Sequence, residues 1–202
     1  MKCSTPSPEG CRPRGPPVSN KSRLLQKLRV PIGFVCAALF FLLSRPTWLW
    51  LAAGAPLILA GLAMRGWAAG HIRKGQALAT SGPYARTRNP LYFGSFLMGL
   101  GFALQSGWWP LVLVFGILFI LIYWPVMRQE EREIADAYGS PFEEYRRRVP
   151  LFRPACSARM NSTGQRFSAA QYRRNREYQA TIGVILVEVI LVLKILCPVL
   201  MI

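Results

Sequence analysis

Two short stretches of this chain bring together residue types that can do chemistry. The first, residues 81–94, reads SGPYARTRNPLYFG. Gly82-Pro83 and Asn89-Pro90 are turn signals, and a residue before proline is pushed toward extended geometry. Pro90 suits the first turn of a helix. Tyr84, Arg88, Asn89 and Tyr92 therefore gather at a helix N-terminus, where backbone N–H groups and the helix dipole favour an anionic group. Aromatics and arginines also anchor helices at a membrane boundary, so the residue types alone leave both readings open.

The second stretch, residues 128–149, reads RQEEREIADAYGSPFEEYRRRV. Glu130, Glu131, Glu133 and Asp136 crowd its first half, directly after an apolar run. Carboxylates at the edge of hydrocarbon are costly unless they are paired or used. Each can meet an arginine or a cationic ligand. On a solvated helix, Arg128 and Arg132 would instead pair with them at i+3 and i+4. Gly139-Ser140-Pro141 ends that helix, and a basic amphipathic turn follows from Phe142. No metal site is expected: Cys3, Cys11, Cys36, Cys156 and Cys197 form no CxxC, and His71 is the only histidine.

These stretches need elements to hold them, and the composition says which. Of 202 residues, 52% are hydrophobic and 17% are charged, against about 25% charged in soluble domains. Mean hydropathy is +0.25, yet 25 Lys and Arg face 9 Asp and Glu, a net charge of +16. A chain this apolar and this basic must segregate the two properties, as membrane proteins with basic loops do. Nucleic acid is not an expected partner.

Apolar runs occupy residues 30–44, 47–69, 91–105, 108–127 and 182–202. Crossing hydrocarbon takes about 20 helical residues, so the first and third are short. The expected fold is all-α: a polytopic transmembrane bundle of about five spans, with spans one and two, and three and four, in tight hairpins. The 44–47 turn carries only Arg45 and the 106–107 turn no charge, whereas the other polar segments are basic. The positive-inside rule then places the N-terminus, residues 65–90 and residues 128–181 in the cytoplasm. A site would open there, between the hairpins. The expected organisation is a basic tail over 1–29, a membrane core over 30–153, a basic cytoplasmic segment over 154–181 and a last transmembrane helix over 182–202. Arginines of the third region suit anionic lipid headgroups. Glu188 and Lys194 lie inside the last apolar run. Their spacing of six does not put them on one helix face. Lys194 can snorkel, whereas Glu188 needs Arg65 or another polar neighbour.

TSGPYARTRNPLYFG followed by EEREIADAYGSPFEEYRRRV resembles the isoprenylcysteine carboxyl methyltransferase and phospholipid methyltransferase superfamily. Its pattern is SGxY…RHPxYxG, a helical hairpin, then EE…(F/Y)GxxYxxYxxxV, and the resemblance covers residues 65–153. It implies a small integral membrane enzyme that uses S-adenosylmethionine in a cytoplasm-facing pocket. Gln76, Ala77, Leu78 and Ala79 would then supply backbone contacts. Tyr84 with Asn89, Pro90, Leu91 and Tyr92 would hold the adenosine and methionine parts, and Glu130 would bind the cofactor with Glu131 beside it. A carboxylate and aromatic faces suit the ammonium and sulfonium groups, and Arg88 suits the methionine carboxylate. His71 is either a terminal residue of the second span or a cofactor contact.

Two departures stand out. Asn89 replaces the family histidine, and an amide cannot titrate. Val126 aligns where the prenylcysteine enzymes carry a substrate arginine, so Arg128 is the nearest replacement. Arg128 and Glu130 are thus the residues expected to carry the reaction, Arg128 on the acceptor side. The expected activity is methyl transfer to a lipid-like or hydrophobic acceptor, including a carboxylate as in isoprenylcysteine methylation. The alternatives are an NADPH-dependent membrane reductase related to sterol reductases, reading Arg86–Arg88 and Arg146–Arg148 as phosphate contacts, and a non-catalytic membrane partner of the same fold.

Overall fold

A computed structural model of the chain describes residues 37–72, 78–152 and 167–197. The expected 1–29 tail, the start of the first apolar run, Gln76, Ala77 and residues 154–166 of the basic segment lie outside the described residues. Within them every regular element is helical. Residues 37–43 form α1, followed by α2 (Trp48–His71), α3 (Pro90–Gln105), α4 (Trp109–Tyr138), α5 (Ser140–Arg148), α6 (Ala169–Arg174) and α7 (Tyr178–Leu196). A 3-10 turn over Gly82–Ala85 precedes α3. Three of these helices, α2, α4 and α7, are long and apolar enough to cross a membrane. At 16 residues α3 is the short one, as its apolar run implied.

Helix α2 starts where the Thr47 hydroxyl accepts the Trp50 N–H. It lies against α3 at near backbone contact. A Cβ added to Gly61 would sit 2.6 Å from the Gly94 carbonyl oxygen, and one added to Gly101 would sit 2.8 Å from that of Gly54. The glycines at 54, 61, 94 and 101 thus set the separation of the two helices that carry the first motif. The outer faces of α4 and α7 present Ile117, Ile120, Leu121, Ile185, Leu186 and Ile190 to the surroundings, the pattern of helices bathed in lipid.

The bundle has two unlike ends. At the hairpin end the α1–α2 and α3–α4 turns touch, with Arg45 N–H donating to the Ser106 carbonyl at 2.6 Å. Helix α7 is tied here by its polar residues. The Lys194 ammonium donates to the carbonyls of Phe41 and Ser44 at 2.6 and 2.7 Å. The Phe41 carbonyl belongs to the last turn of α1 and Ser44 follows that helix directly, where a cation complements the helix dipole. Lys194 is buried, so it caps a helix instead of snorkelling. Glu188 accepts from Gln105 Nε2 at 2.8 Å. Arg65 is taken by Glu177 instead. Although six apart, Glu188 and Lys194 both turn inward because they meet different neighbours.

At the opposite, motif end, α2 finishes, α3 begins and α4 runs on past its apolar portion. Helix α4 is one 30-residue helix that carries the apolar run over 108–127 straight into the acidic stretch. It stops at Gly139, whose φ of 59° and ψ of −130° belong to a region that L-residues avoid. That reversal folds α5 back, seating Phe142, Tyr145 and Val149 against Leu78, Ile134, Ala135 and Tyr138.

Candidate active site

The 3-10 turn that opens the first motif is held from both sides. Gly82 has φ +60°, and a Cβ there would lie 2.7 Å from the His71 imidazole. His71, the last residue of α2, uses Nδ1 on the Trp67 carbonyl at 2.9 Å. Its ring edge is thereby set under the turn. The Tyr84 carbonyl accepts the Tyr145 hydroxyl at 2.7 Å. The Tyr84 ring is buried, and its phenol oxygen has no hydrogen-bond partner among the described residues. Burial, reinforced by Tyr145, Glu177 and Glu130, raises its pKa far above the usual phenol value. It is therefore a neutral hydroxyl at any physiological pH.

The segment after α5 returns beneath the motif. Arg88 N–H donates to the Pro150 carbonyl at 2.9 Å, Asn89 Nδ2 to Leu151 at 3.1 Å, and the Thr87 hydroxyl to Phe152 at 2.9 Å. Phe152 then inserts its ring among Phe93, Phe96 and Phe119, tying α3 to α4. Asn89 thus spends its amide on positioning, and it makes no side-chain capping bond to α3. The first turn of that helix keeps its capacity for an anionic group.

Adjacent carboxylates on α4 have opposite surroundings. Glu131 is buried and ion-paired with Arg88 and with Arg128, the latter at 3.1 Å. Glu130 is exposed and accepts the Tyr92 hydroxyl at 2.7 Å. Among the described residues it joins no ion pair. Two guanidinium groups therefore neutralise Glu131, whereas Glu130 has a neutral hydroxyl and keeps its charge for another cation. Burial lowers the pKa of Arg88, but arginine starts so high that it stays charged. Arg128 also lies over the Trp124 ring, 5.1 Å from its centroid. Glu133 points away and pairs with Gln129 at 2.9 Å.

The structure thus gathers Tyr84, Arg88, Asn89, Pro90, Tyr92, Arg128, Glu130 and Glu131 at one place. Leu91 contributes its carbonyl to Ser95 at 2.9 Å. Leu78 belongs to the apolar cluster beneath α5, and Ala79 is half-buried in the strand of loop before the turn. Sequence reasoning assigned no role to Tyr145, Thr87 or Tyr123. Tyr145 sits inside the quoted second motif, which was its available signal. Tyr123, whose ring is 5.7 Å from that of Tyr92, and Thr87 carry no pattern of their own.

Among the described residues, the orphaned Tyr84 hydroxyl, the uncapped first turn of α3 and the uncompensated Glu130 present a donor or acceptor, N–H donors and a negative charge. S-adenosylmethionine, with its carboxylate and its two cationic groups, fits that set.

Comparison with known proteins points to a methyltransferase family. The phospholipid methyltransferase family model matches residues 48–141. The cobalt-zinc-cadmium resistance protein CzcN of Cupriavidus metallidurans is 35% identical over 158 residues, 73% of this chain and 71% of its own. The nickel-cobalt-cadmium resistance protein NccN of Alcaligenes xylosoxydans xylosoxydans is 32% identical over 54% of this chain and 52% of its own. The protein-S-isoprenylcysteine O-methyltransferase of Schizosaccharomyces pombe is 32% identical over 46% of this chain and 40% of its own. No solved structure gives a significant match. With the first motif and the start of the second inside the matched region, and the two converging on one site, the chain belongs to the isoprenylcysteine carboxyl methyltransferase and phospholipid methyltransferase superfamily of membrane proteins.

Proposed function

We propose that this chain is an integral membrane methyltransferase that takes its methyl group from S-adenosylmethionine and passes it to a lipid-like or hydrophobic acceptor. The observation that carries the reading is the contrast between neighbouring carboxylates: Glu131 is neutralised by Arg88 and Arg128, while Glu130 is left with Tyr92. Bound S-adenosylmethionine would supply an activated methyl group on a sulfonium. The chain's own residues bind and align. Glu130 would attract the cationic part, the first turn of α3 with Arg88 would take the carboxylate, and Tyr84 would offer its hydroxyl. In-line displacement needs alignment more than acid–base power, so Asn89 is no obstacle.

Arg128 is half-exposed at the point where α4 leaves its apolar portion. A guanidinium there can hold a carboxylate or phosphate through two parallel hydrogen bonds. An anionic acceptor arriving from lipid suits it. The reading also includes five spans, a cytoplasmic motif end and anionic lipid headgroups near the exposed Arg173, Arg174 and Arg176.

Detergent-purified protein should bind labelled S-adenosylmethionine and not labelled NADPH. The reverse result would replace this reading with a reductase. Screening lipid extracts and small prenylthiol acids with labelled cofactor then identifies the acceptor. Single cysteines at the exposed positions Arg86 and Ser140, in a chain otherwise free of cysteine, should resist impermeant thiol reagents in intact cells. Labelling from outside at either position contradicts the orientation.

A further inference from the structure

Residues 167–177 lie beyond the part of the chain matched by the family model, yet they sit on the site. The last carbonyls of α2 lack partners within their own helix. Asn175 Nδ2 donates to Ala69 at 2.8 Å, Ser168 N–H to Gly70 at 3.0 Å, and Gln171 Nε2 to Ile72 at 3.0 Å. Two chains of contact lead from this segment into the site. In one, the Phe167 ring lies against Gly70 and 6.1 Å from the His71 ring, and His71 supports Gly82. In the other, Glu177 accepts from Arg65 Nε at 3.1 Å and Nη2 at 2.9 Å, while Arg65 Nη1 donates to Ser95 Oγ at 2.6 Å. Ser95 is anchored on Leu91, in the first turn of α3.

The backbone is bent to make this possible. Arg176 has φ 55°, the left-handed conformation that a non-glycine residue adopts only when its surroundings enforce it. That kink separates α6 from α7 just before Glu177, whose carboxylate meets Arg65. Arg65 and Glu177 side chains are only 24% and 11% exposed, so losing either partner strands a charge with little solvent.

We propose that residues 167–177 are a clasp that fixes the walls of the cofactor site, and that Glu177, acting through Arg65, is its positioning residue. This inference rests on the S-adenosylmethionine reading above. It extends the site to a segment with neither motif. The clasp holds His71 and the first turn of α3 in place; it touches no reacting atom.

Two readouts on the full-length, detergent-purified chain test it. The first is equilibrium binding of labelled S-adenosylmethionine to Glu177→Gln, Glu177→Asp and Glu188→Gln. Glu188 anchors the same helix at the hairpin end, so it controls for simple loosening of α7. Glu177→Gln should bind at least ten-fold more weakly, with Glu177→Asp and Glu188→Gln within about three-fold of wild type. Equal affinity in Glu177→Gln, or an equal loss in Glu188→Gln, overturns the clasp. The second readout needs no cofactor. His71 is the only histidine, so its carbethoxylation by diethyl pyrocarbonate reports on one buried site. Glu177→Gln should speed that reaction several-fold, and an unchanged rate overturns the clasp as well. If wild-type protein fails to bind S-adenosylmethionine while Glu177→Gln still unmasks His71, the cofactor reading fails and the clasp survives as a shield over His71.

Discussion

The two ends of the bundle both bury polar side chains and use them differently. At the hairpin end Lys194 is fully engaged by the carbonyls of Phe41 and Ser44, and Glu188 takes a hydrogen from Gln105. The one unpaired atom among those groups is Gln105 Oε1, on an amide whose nitrogen already serves both Glu188 and Leu51. At the motif end, among the described residues, the Tyr84 hydroxyl is buried without a partner, and Glu130 has a neutral one. Unsatisfied buried polar groups cost on the order of 1–3 kcal/mol each. Natural structures retain them where something else completes the bonding. The hairpin end therefore reads as fastening, and the motif end as a place prepared for a ligand.

The sharpest way to break that contrast is to remove the carboxylate assigned to the ligand. Glu130→Gln should weaken S-adenosylmethionine binding about 30-fold or more, because losing a carboxylate opposite a partly buried cation costs on the order of 2–5 kcal/mol. Glu133→Gln, three residues on and hydrogen-bonded to Gln129, should leave affinity unchanged. Similar small effects from both would mean that Glu130 is a surface residue.

A smaller loss is expected where α2 and α3 touch. A Cβ at Gly101 meets Ile58 Cγ1 at 2.6 Å as well as the Gly54 carbonyl. Gly101→Val should lower stability in detergent by about 1–3 kcal/mol. The site would then suffer through misplacement of α3 and not through lost contacts. A thermal melt that matches wild type would show that the helices are not held at that distance.

Next in size is the acceptor side. Arg128→Lys should raise the acceptor KM several-fold while cofactor affinity stays within about two-fold of wild type. Lysine cannot reproduce two parallel hydrogen bonds to an oxyanion. Lysine keeps the charge beside Glu131, which Arg88 also pairs, so the cofactor wall is not left with a stranded carboxylate. If cofactor affinity falls in parallel with turnover, Arg128 belongs to the cofactor wall.

The smallest effect near neutrality is a titration. Burial raises the phenol pKa of both Tyr84 and Tyr145 in the folded chain. A raised folded value favours the protonated form, so this contribution is intact below the unfolded value of about 10 and is lost as pH rises above it. Melting temperature should hold between pH 7 and 9 and fall above pH 10. Tyr84→Phe should lessen that alkaline fall. Cofactor binding that tracks a group titrating near pH 7 would show that something other than these phenols controls the site.

Much of the architecture was legible beforehand because lipid leaves the chain few options. The apolar runs over 47–69 and 91–105 became α2 and α3 within a residue or two at each boundary. Asn89-Pro90 marked the start of α3, and Gly139-Ser140-Pro141 the end of α4. The apolar run over 108–127 and the acidic stretch after it form one helix, α4. In the site, Tyr84, Arg88, Tyr92, Glu130 and Glu131 were named from their motifs. Asn89 was named too, but its bond to Leu151 belongs to a strand of loop more than sixty residues away, and no local pattern reports that.

The sequence by itself determined that hydrophobic segments would form helices in a membrane, that turns would fall at Gly, Asn and Pro, and that two charged motifs would meet at one end. Those outcomes follow from local backbone geometry and from the cost of exposing polar groups to hydrocarbon. Only the tertiary structure decided how adjacent, chemically identical carboxylates divide their work. Glu130 and Glu131 differ by a 100° step around α4, which turns one toward Arg88 and the other toward Tyr92. Tertiary packing also decided that Glu177 meets Arg65 at the motif end while Glu188 and Lys194 are held at the hairpin end. The strength of an ion pair or a buried hydrogen bond depends on which distant side chain arrives, and that is a property of packing, not of spacing.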